Sequence, residues 1–302
     1  MIEITYIYKD HKGKINNGTF NIGMLEFAKH IILAGCGHMV DKNSCRKAVG
    51  ALIFFEDYFP NISNTPCKCF IEPTDTWAYD PTAKAHFSNL VGKAMADICF
   101  KHISGGKITF NYEAVMKEQG LPIKGSRPDL YGITNNGEYF AIEAKGYTSQ
   151  TGKKSDHKRQ ANSGPLYKDY SVASVTEKIY KKICVDYIDP ISNGENNIDK
   201  EGLINFYYDK ISGEFSLFDE NIKEFEINDS EYIVIIEFEF KSQMMCLAIS
   251  KDIVQSNERE VILSRFERIV ENDFYIDGDG IGIFKLQSIN DNLKLLNRNL
   301  LN

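Results

Sequence analysis

The chain has 302 residues, 43% of them hydrophobic, with 19 Phe and 16 Tyr, which is enough to bury a full core and is far from a disordered composition. No apolar run approaches the roughly 18 residues that span a bilayer, and Met1-Ile2-Glu3-Ile4-Thr5-Tyr6 lacks the basic-then-apolar order of a signal peptide, so a cytoplasmic protein with no membrane partner is expected. The net charge of −7, from 42 acidic against 35 basic residues, argues against a surface that coats a polyanion as a whole but leaves room for a local basic cleft.

In chain order, Ile2–Tyr8 reads as a strand, Met24–Ala34 as a helix and Ala51–Phe55 as another strand. Turn-rich and polar segments, Asn61–Pro66 and Glu72–Thr76, close the first 80 residues. A long helix is predicted from Pro81: Asp80 suits the N-cap, Pro81 the first helical position, and Gly105-Gly106 the stop. Phe87, Leu90, Val91, Ala94, Met95, Ile98 and Cys99 recur along it at helical spacing. Gly92 and Ala96, one turn apart, would let this helix lie close to a sheet. A strand Ile108–Tyr112 and a polar link containing Gly120 follow. Strands around Asp129–Thr134 and Tyr139–Lys145 are joined by Asn135-Asn136-Gly137, a strong hairpin signal.

Lys153–Gln160 reads as a short basic helix closed by Gly164-Pro165, Tyr170–Thr176 as a strand and Glu177–Tyr187 as a helix. Pro190–Lys200 has the composition of a linker. Beyond it lie strand-like runs at Leu203–Tyr208, Glu214–Phe218, Tyr232–Phe240, Met244–Ile249 and Gly282–Leu286, with one helix over Glu258–Glu271. The expected organisation is an α+β N-terminal addition (1–80), a core (81–190) and a β-rich C-terminal addition (191–302) packed on that core.

Seven cysteines, an odd number without regular spacing, point to reduced thiols. Cys36, His38, Cys45, Cys67 and Cys69 are the residues a zinc ion would take, but they lack the paired spacing of structural zinc ligands. Asp277-Gly278-Asp279-Gly280 resembles part of a calcium loop without its remaining ligands or closing Glu, and is expected to be a turn. The aromatic residues Phe206, Tyr207, Tyr208, Phe215 and Phe218 read as core and not as a base-stacking platform.

The chemistry-bearing stretch is Arg127-Pro128-Asp129-Leu130-Tyr131 followed by Ile142-Glu143-Ala144-Lys145. Glu143 and Lys145, two apart on a strand, share one face, while Phe140, Ile142 and Ala144 face the core. The turn decides whether Asp129 joins them. A two-residue loop, Asn136-Gly137, would pair Asp129 with Ala144 and turn it away. A three-residue loop, with Gly137 left-handed, pairs Thr134 with Glu138 and sets Asp129 opposite Glu143. The second register is expected, because it brings two carboxylates and an ammonium together. Two carboxylates suit one or two magnesium ions, which neutralise a phosphate and acidify water, and an ammonium suits the orientation of the nucleophile.

These residues resemble the PD-(D/E)xK, or restriction-endonuclease-like, nuclease superfamily: Pro128-Asp129 matches PD and Glu143-Ala144-Lys145 matches ExK. The resemblance covers roughly residues 81–190. It implies an α/β (α+β) restriction-endonuclease-like core, a mixed central sheet flanked by helices, with N- and C-terminal additions. It further implies a metal-dependent endonuclease acting on DNA, in restriction or antiphage defence, with Asp129 and Glu143 holding Mg2+ (Mn2+ as substitute), Ala144 lending its carbonyl and Lys145 assisting the nucleophile. The acidic residue that many members carry on the preceding helix has only Asp97 as an inward candidate here, with Glu113 a weaker substitute. Lys153, Lys154, Lys158, Arg159 and Gln160 lie where the family has a helix beside the metals and are the expected nucleic-acid contacts. The acidic total points to help from a protein partner or a homo-oligomer. The competing reading is a non-cleaving module that binds nucleic acid or a partner protein.

Overall fold

Alternating apolar residues build two sheets, and apolar residues at helical spacing build the helices between them. The computed structural model describes residues 1–10, 12–35, 40–60, 69–72, 80–151, 154–188, 199–217, 221–289 and 294–297. The first sheet draws on β1 (Ile2–Lys9) and β2 (Ile15–Ile22), followed by helices α1 (Met24–Gly35), α2 (Lys42–Phe54) and α3 (Pro81–Ser104). It continues through β3 (Gly106–Asn111), α4 (Tyr112–Glu118), β4 (Leu130–Thr134), β5 (Tyr139–Gly146), α5 (Lys154–Asn162), β6 (Tyr170–Glu177) and β7 (Cys184–Ile188). Its order is β2-β1-β7-β6-β5-β4-β3, with β1–β7 and β5–β6 parallel and the other neighbours antiparallel. The N-terminal hairpin therefore extends the same sheet that carries β4 and β5.

After α6 (Lys200–Leu217) come β8 (Asn221–Ile227), β9 (Ser230–Phe240), β10 (Gln243–Ser250), α7 (Lys251–Gln255) and α8 (Arg259–Leu263). The described part ends with β11 (Ile269–Val270), β12 (Phe274–Ile276), β13 (Ile281–Lys285), α9 (Leu286–Ile289) and β14 (Lys294–Asn297). These strands form a second sheet, antiparallel throughout, in the order β11-β12-β13-β10-β9-β8-β14. The fold is mixed α+β. Among the described residues no helix is long and apolar enough to cross a membrane.

Several elements differ from the sequence expectation, each for a local reason. Ala51–Phe55 is not a strand but the end of α2: Asp41 caps that helix by accepting from the Ser44 amide (2.9 Å), and Cys45, Ala48, Val49 and Leu52 form its buried stripe. The runs Leu203–Tyr208 and Glu214–Phe218 are not strands: both enter the single helix α6, which extends to Leu217, and Phe218 lies outside the described residues. Leu203, Ile204, Tyr207, Tyr208, Ile211 and Phe215 are buried along that helix at helical spacing. Glu177–Tyr187 is not a helix: Glu177 ends β6, and β7 alternates, with Val185 and Tyr187 buried. The helix expected over Glu258–Glu271 lasts only from Arg259 to Leu263. Tyr112 opens α4 instead of closing β3, with Asn111 as N-cap accepting from the Ala114 amide (3.1 Å).

The helix α3 forms as its caps predict: Asp80 accepts from the Thr82 amide (2.9 Å), Pro81 sits in the first turn, and Gly105 closes it left-handed at φ 66°. It packs on β5 and β6 on one side and on α1 on the other. The approach to β5 is unusually close. A Cβ on Gly92 would stand 2.4 Å from the Gly146 nitrogen, and one on Gly146 would stand 1.7 Å from the Ser88 carbonyl oxygen. Both positions exclude any side chain.

A buried ion cluster ties this layer to the second sheet. Lys29 of α1 and Lys101 of α3 both contact Asp277 and Asp279, in the turn between β12 and β13, with Lys101 Nζ 3.2 Å and Lys29 Nζ 2.5 Å from Asp279 Oδ2. Asp97 joins them through His30 Nδ1 (2.6 Å) and the Thr109 hydroxyl (2.9 Å). Burial pushes the Asp97 carboxyl up, but the charges of Lys101 and His30 outweigh it and hold Asp97 below the usual carboxylate range. The Asp277–Gly280 segment is the expected turn, with its carboxylates spent on lysines.

Opposite effects of one chemical change should test the glycine contact. Gly92→Ala should destabilise the protein by about 1–3 kcal/mol through overpacking against β5. Gly50→Ala, in α2 where a Cβ would meet nothing within 4 Å, should stabilise it by about 0.4–1 kcal/mol. Urea unfolding midpoints of the two variants check both signs.

Candidate active site

The β4–β5 hairpin sets the site. The Thr134 amide donates to the Glu138 carbonyl (3.0 Å), the Gly137 amide to the Thr134 carbonyl (3.0 Å), and Gly137 is left-handed at φ 82°. This is the three-residue loop, and Leu130 pairs with Ile142 in the register that carries Asp129 to the level of Glu143. The Asp129 backbone is held on both sides: its amide donates to the Ile142 carbonyl (3.1 Å) and its carbonyl accepts from the Tyr112 amide (3.1 Å). Its carboxylate accepts at Oδ2 from the Ala144 amide (3.0 Å) and from Lys145 Nζ (3.2 Å). Phe140, Ile142 and Ala144 are buried in the main core. Glu143 and Lys145 pair laterally with Ala173 and Val175, which pack with Ala161 of α5, so the charged face of β5 is the face that α5 covers.

The electrostatics of this trio are unbalanced. Glu143 is fully buried, and the one cation its carboxyl group meets among the described residues is Lys145. The Lys145 ammonium pairs with Oε1, and Oε2 has no donor among the described residues. Burial, then the negative charge of Asp129, pushes the Glu143 carboxyl up to about 8. Lys145 loses solvation, but the charges of Asp129 and Glu143 outweigh that and raise its ammonium above the ordinary lysine value. With both acids ionised the site would hold more negative charge than its one ammonium neutralises, so without a further cation the buried Glu143 carboxyl favours its protonated form.

A cleft of about 390 Å3 opens beside Asp129 and is bounded by Lys93, Asn111, Glu113, Arg127 and Gln160. Gln160 of α5 thus reaches the site and donates to the Arg127 carbonyl (3.1 Å). Glu113 also reaches it, engaged with the Arg127 guanidinium (Nε 2.8 Å). Asp97 does not: it is committed to the buried cluster with His30 and Lys101 and does not border this cleft. Of the expected nucleic-acid contacts, Lys154 is paired with Asp186 and Glu177, and the exposed Arg159 with Asp156 (3.0 Å). Lys158 is half-buried on α5, and Lys153 lies outside the described residues, as do Cys36, His38 and Cys67.

A larger cavity, about 580 Å3, lies at the far end of α3 around Lys101, Lys107 and Arg268. Its cations are mostly spent, Lys101 on Asp277, Lys200 on Glu260 and Arg268 on Glu26, and Asp129 does not border it. No protein-family model, curated protein or solved structure matches the chain.

Lys93 is the residue that sequence reading missed. It directly follows Gly92, whose missing side chain lets α3 touch β5 at Lys145 and Gly146, so its place at the lip of the site was implied by that glycine. Among the described residues no group of three or more His, Cys, Asp or Glu side chains is arranged around a metal position. The carboxyl groups that β4 and β5 bring together are those of Asp129 and Glu143.

The raised Glu143 carboxyl gives a pH prediction. Its folded-state value, about 8, exceeds the ordinary 4.5, so its contribution to stability is complete below about pH 4.5 and is lost as pH rises to about 8. In EDTA, the urea midpoint of the wild type should therefore fall between about pH 5 and pH 8 more than that of Glu143→Gln. Parallel pH profiles for the two proteins would refute the assignment.

Proposed function

We propose that the chain is a metal-dependent nuclease of the PD-(D/E)xK type that hydrolyses phosphodiester bonds of DNA, in a restriction or antiphage-defence setting. The observation that carries this reading is the buried Glu143 carboxyl, set beside Asp129, with the Lys145 ammonium shared between the two acids. A non-cleaving module would have no need for such a group. Two neighbouring carboxylates fit a hard divalent cation, and magnesium keeps several waters, so a short donor set suits it. Asp129 and Glu143 would hold the ion, with the Ala144 carbonyl as the third donor that the family resemblance implies. A bound Mg2+ or Mn2+ would supply Lewis acidity toward the phosphate and lower the pKa of water.

The chain's own residues supply the rest. The Asp129 carboxylate is fixed by the Ala144 amide and by its clamped backbone, so it meets an ion without reorganising. The Lys145 ammonium, in contact with both carboxylates, offers charge and donors for the negative charge that develops on the phosphate oxygens. In hydrolysis a water oxygen forms a bond to phosphorus, one P–O ester bond breaks, and the departing oxygen takes up a proton. Gln160 and the bonded Arg127 carbonyl fasten α5 to the loop that delivers Asp129.

Plasmid, linear duplex, single-stranded DNA and RNA, each with Mg2+, Mn2+ or EDTA, test the activity. Cleavage should require the metal, and Lys145→Ala should lower it by about 100-fold or more while Mg2+ binding by calorimetry persists. Asp129→Ala and Glu143→Ala should lose both. Wild-type cutting by pure, folded Lys145→Ala would sink the reading.

A further inference from the structure

Most cations near the site are already committed. Lys154 faces Asp186 and Glu177, and Arg159 faces Asp156. Two cations that border the Asp129 cleft retain donors. Lys93, half-buried on α3, has no salt bridge or hydrogen bond to any described residue, although Asp129 and Glu113 border the same cleft. Arg127 stands on the wall formed by the loop before β4. Its Nε and Nη2 go to Glu113 and its Nη1 to the Gly125 carbonyl (2.9 Å). A guanidinium carries five N–H donors, so two stay uncommitted.

We propose that Lys93 and Arg127 form a clamp for a backbone phosphate of the substrate strand, with Glu113 as the positioning residue for Arg127; this rests on the nuclease reading above. The guanidinium supplies a fixed pair of donors, because Glu113 and Gly125 set its plane, and the ammonium supplies a mobile point charge from the opposite element. A phosphate held between them lies next to Asp129. The clamp places strand binding on α3 and on the loop before β4, and not on the 153–159 segment. Lys93 is also held at its position by the Gly92 contact, so the binding charge and the Lys145 backbone move as one unit.

The test uses the full chain carrying Lys145→Ala, a fluorescein-labelled DNA strand and its duplex, with Mg2+ present, and anisotropy titrations over a range of salt. Each lost phosphate contact lowers the slope of log affinity against log salt by about 0.7 for a single strand and 0.9 for a duplex. Lys93→Ala and Arg127→Ala should each lower the slope by one such step, with Mg2+ affinity unchanged by calorimetry. Lys93→Arg should restore the slope, an outcome that a merely structural role would not give. Replacing Lys154 and Arg159 by Ala should leave it unchanged. A slope unaffected by Lys93→Ala and Arg127→Ala in folded proteins would overturn the clamp and leave the nuclease reading standing. No DNA binding by the Lys145→Ala protein would overturn both.

Discussion

The contact on which the site depends is the meeting of two glycines, Gly92 on α3 and Gly146 at the end of β5. With no side chain at either place, the helix backbone rests directly on the strand backbone. Close packing of this kind leaves little room for either element to slide. β5 is then held from one side by α3 and from the other by α5, and Lys145, immediately before Gly146, inherits that rigidity. The hairpin register does the remaining positioning, since the left-handed Gly137 decides that Asp129 shares a face with Glu143.

The molecule buries charge in two ways, and the difference separates scaffold from site. In the cluster of Lys29, Lys101, Asp97, Asp277 and Asp279, opposite charges outweigh the cost of burial, and Asp97 and Asp277 are held below the usual carboxylate range. Every group there has a partner. At Glu143 the balance reverses: burial and a neighbouring carboxylate prevail over a single lysine. Carboxyl groups driven in opposite directions by their surroundings are a mark of sites that do chemistry. The same comparison explains why Asp97, an acid on the helix next to the site, does not border the cleft: His30 of α1, Thr109 of β3 and Lys101 engage it.

Much of the site was legible because it is local. The Asn-Asn-Gly turn, the alternation of β5 and the caps of α3 are short-range signals whose outcome tertiary packing did not alter. The errors fell where a short apolar run suits either geometry. Ala-Leu-Ile-Phe-Phe at 51–55 looks like a strand until Asp41, ten residues earlier, is recognised as a helix cap. The runs at 203–208 and 214–218 likewise read as strands, although one helix, α6, takes in both up to Leu217. The pairing of Arg127 with Glu113 and the position of Lys93 depend on which elements meet in space, and no periodicity encodes that. The sheet membership of β1 and β2 is likewise non-local, since β1 pairs with β7 from far along the chain.

The Asp277–Gly280 turn also limits how this chain can be cut or grafted. Ending it after β7 would remove both carboxylates that face Lys29 and Lys101, and with them the sheet that ties to α1 and α3 through this cluster. Lys101 would keep Asp97 at 3.6 Å, while the apolar faces of α1 and α2 that pack on β9, β12 and β13 would open to water. The segment that carries Asp129, Glu143 and Lys145 is thus no freestanding cassette. Transplanting it into another protein would require the second sheet as well, or polar replacements over the helix faces that this sheet covers.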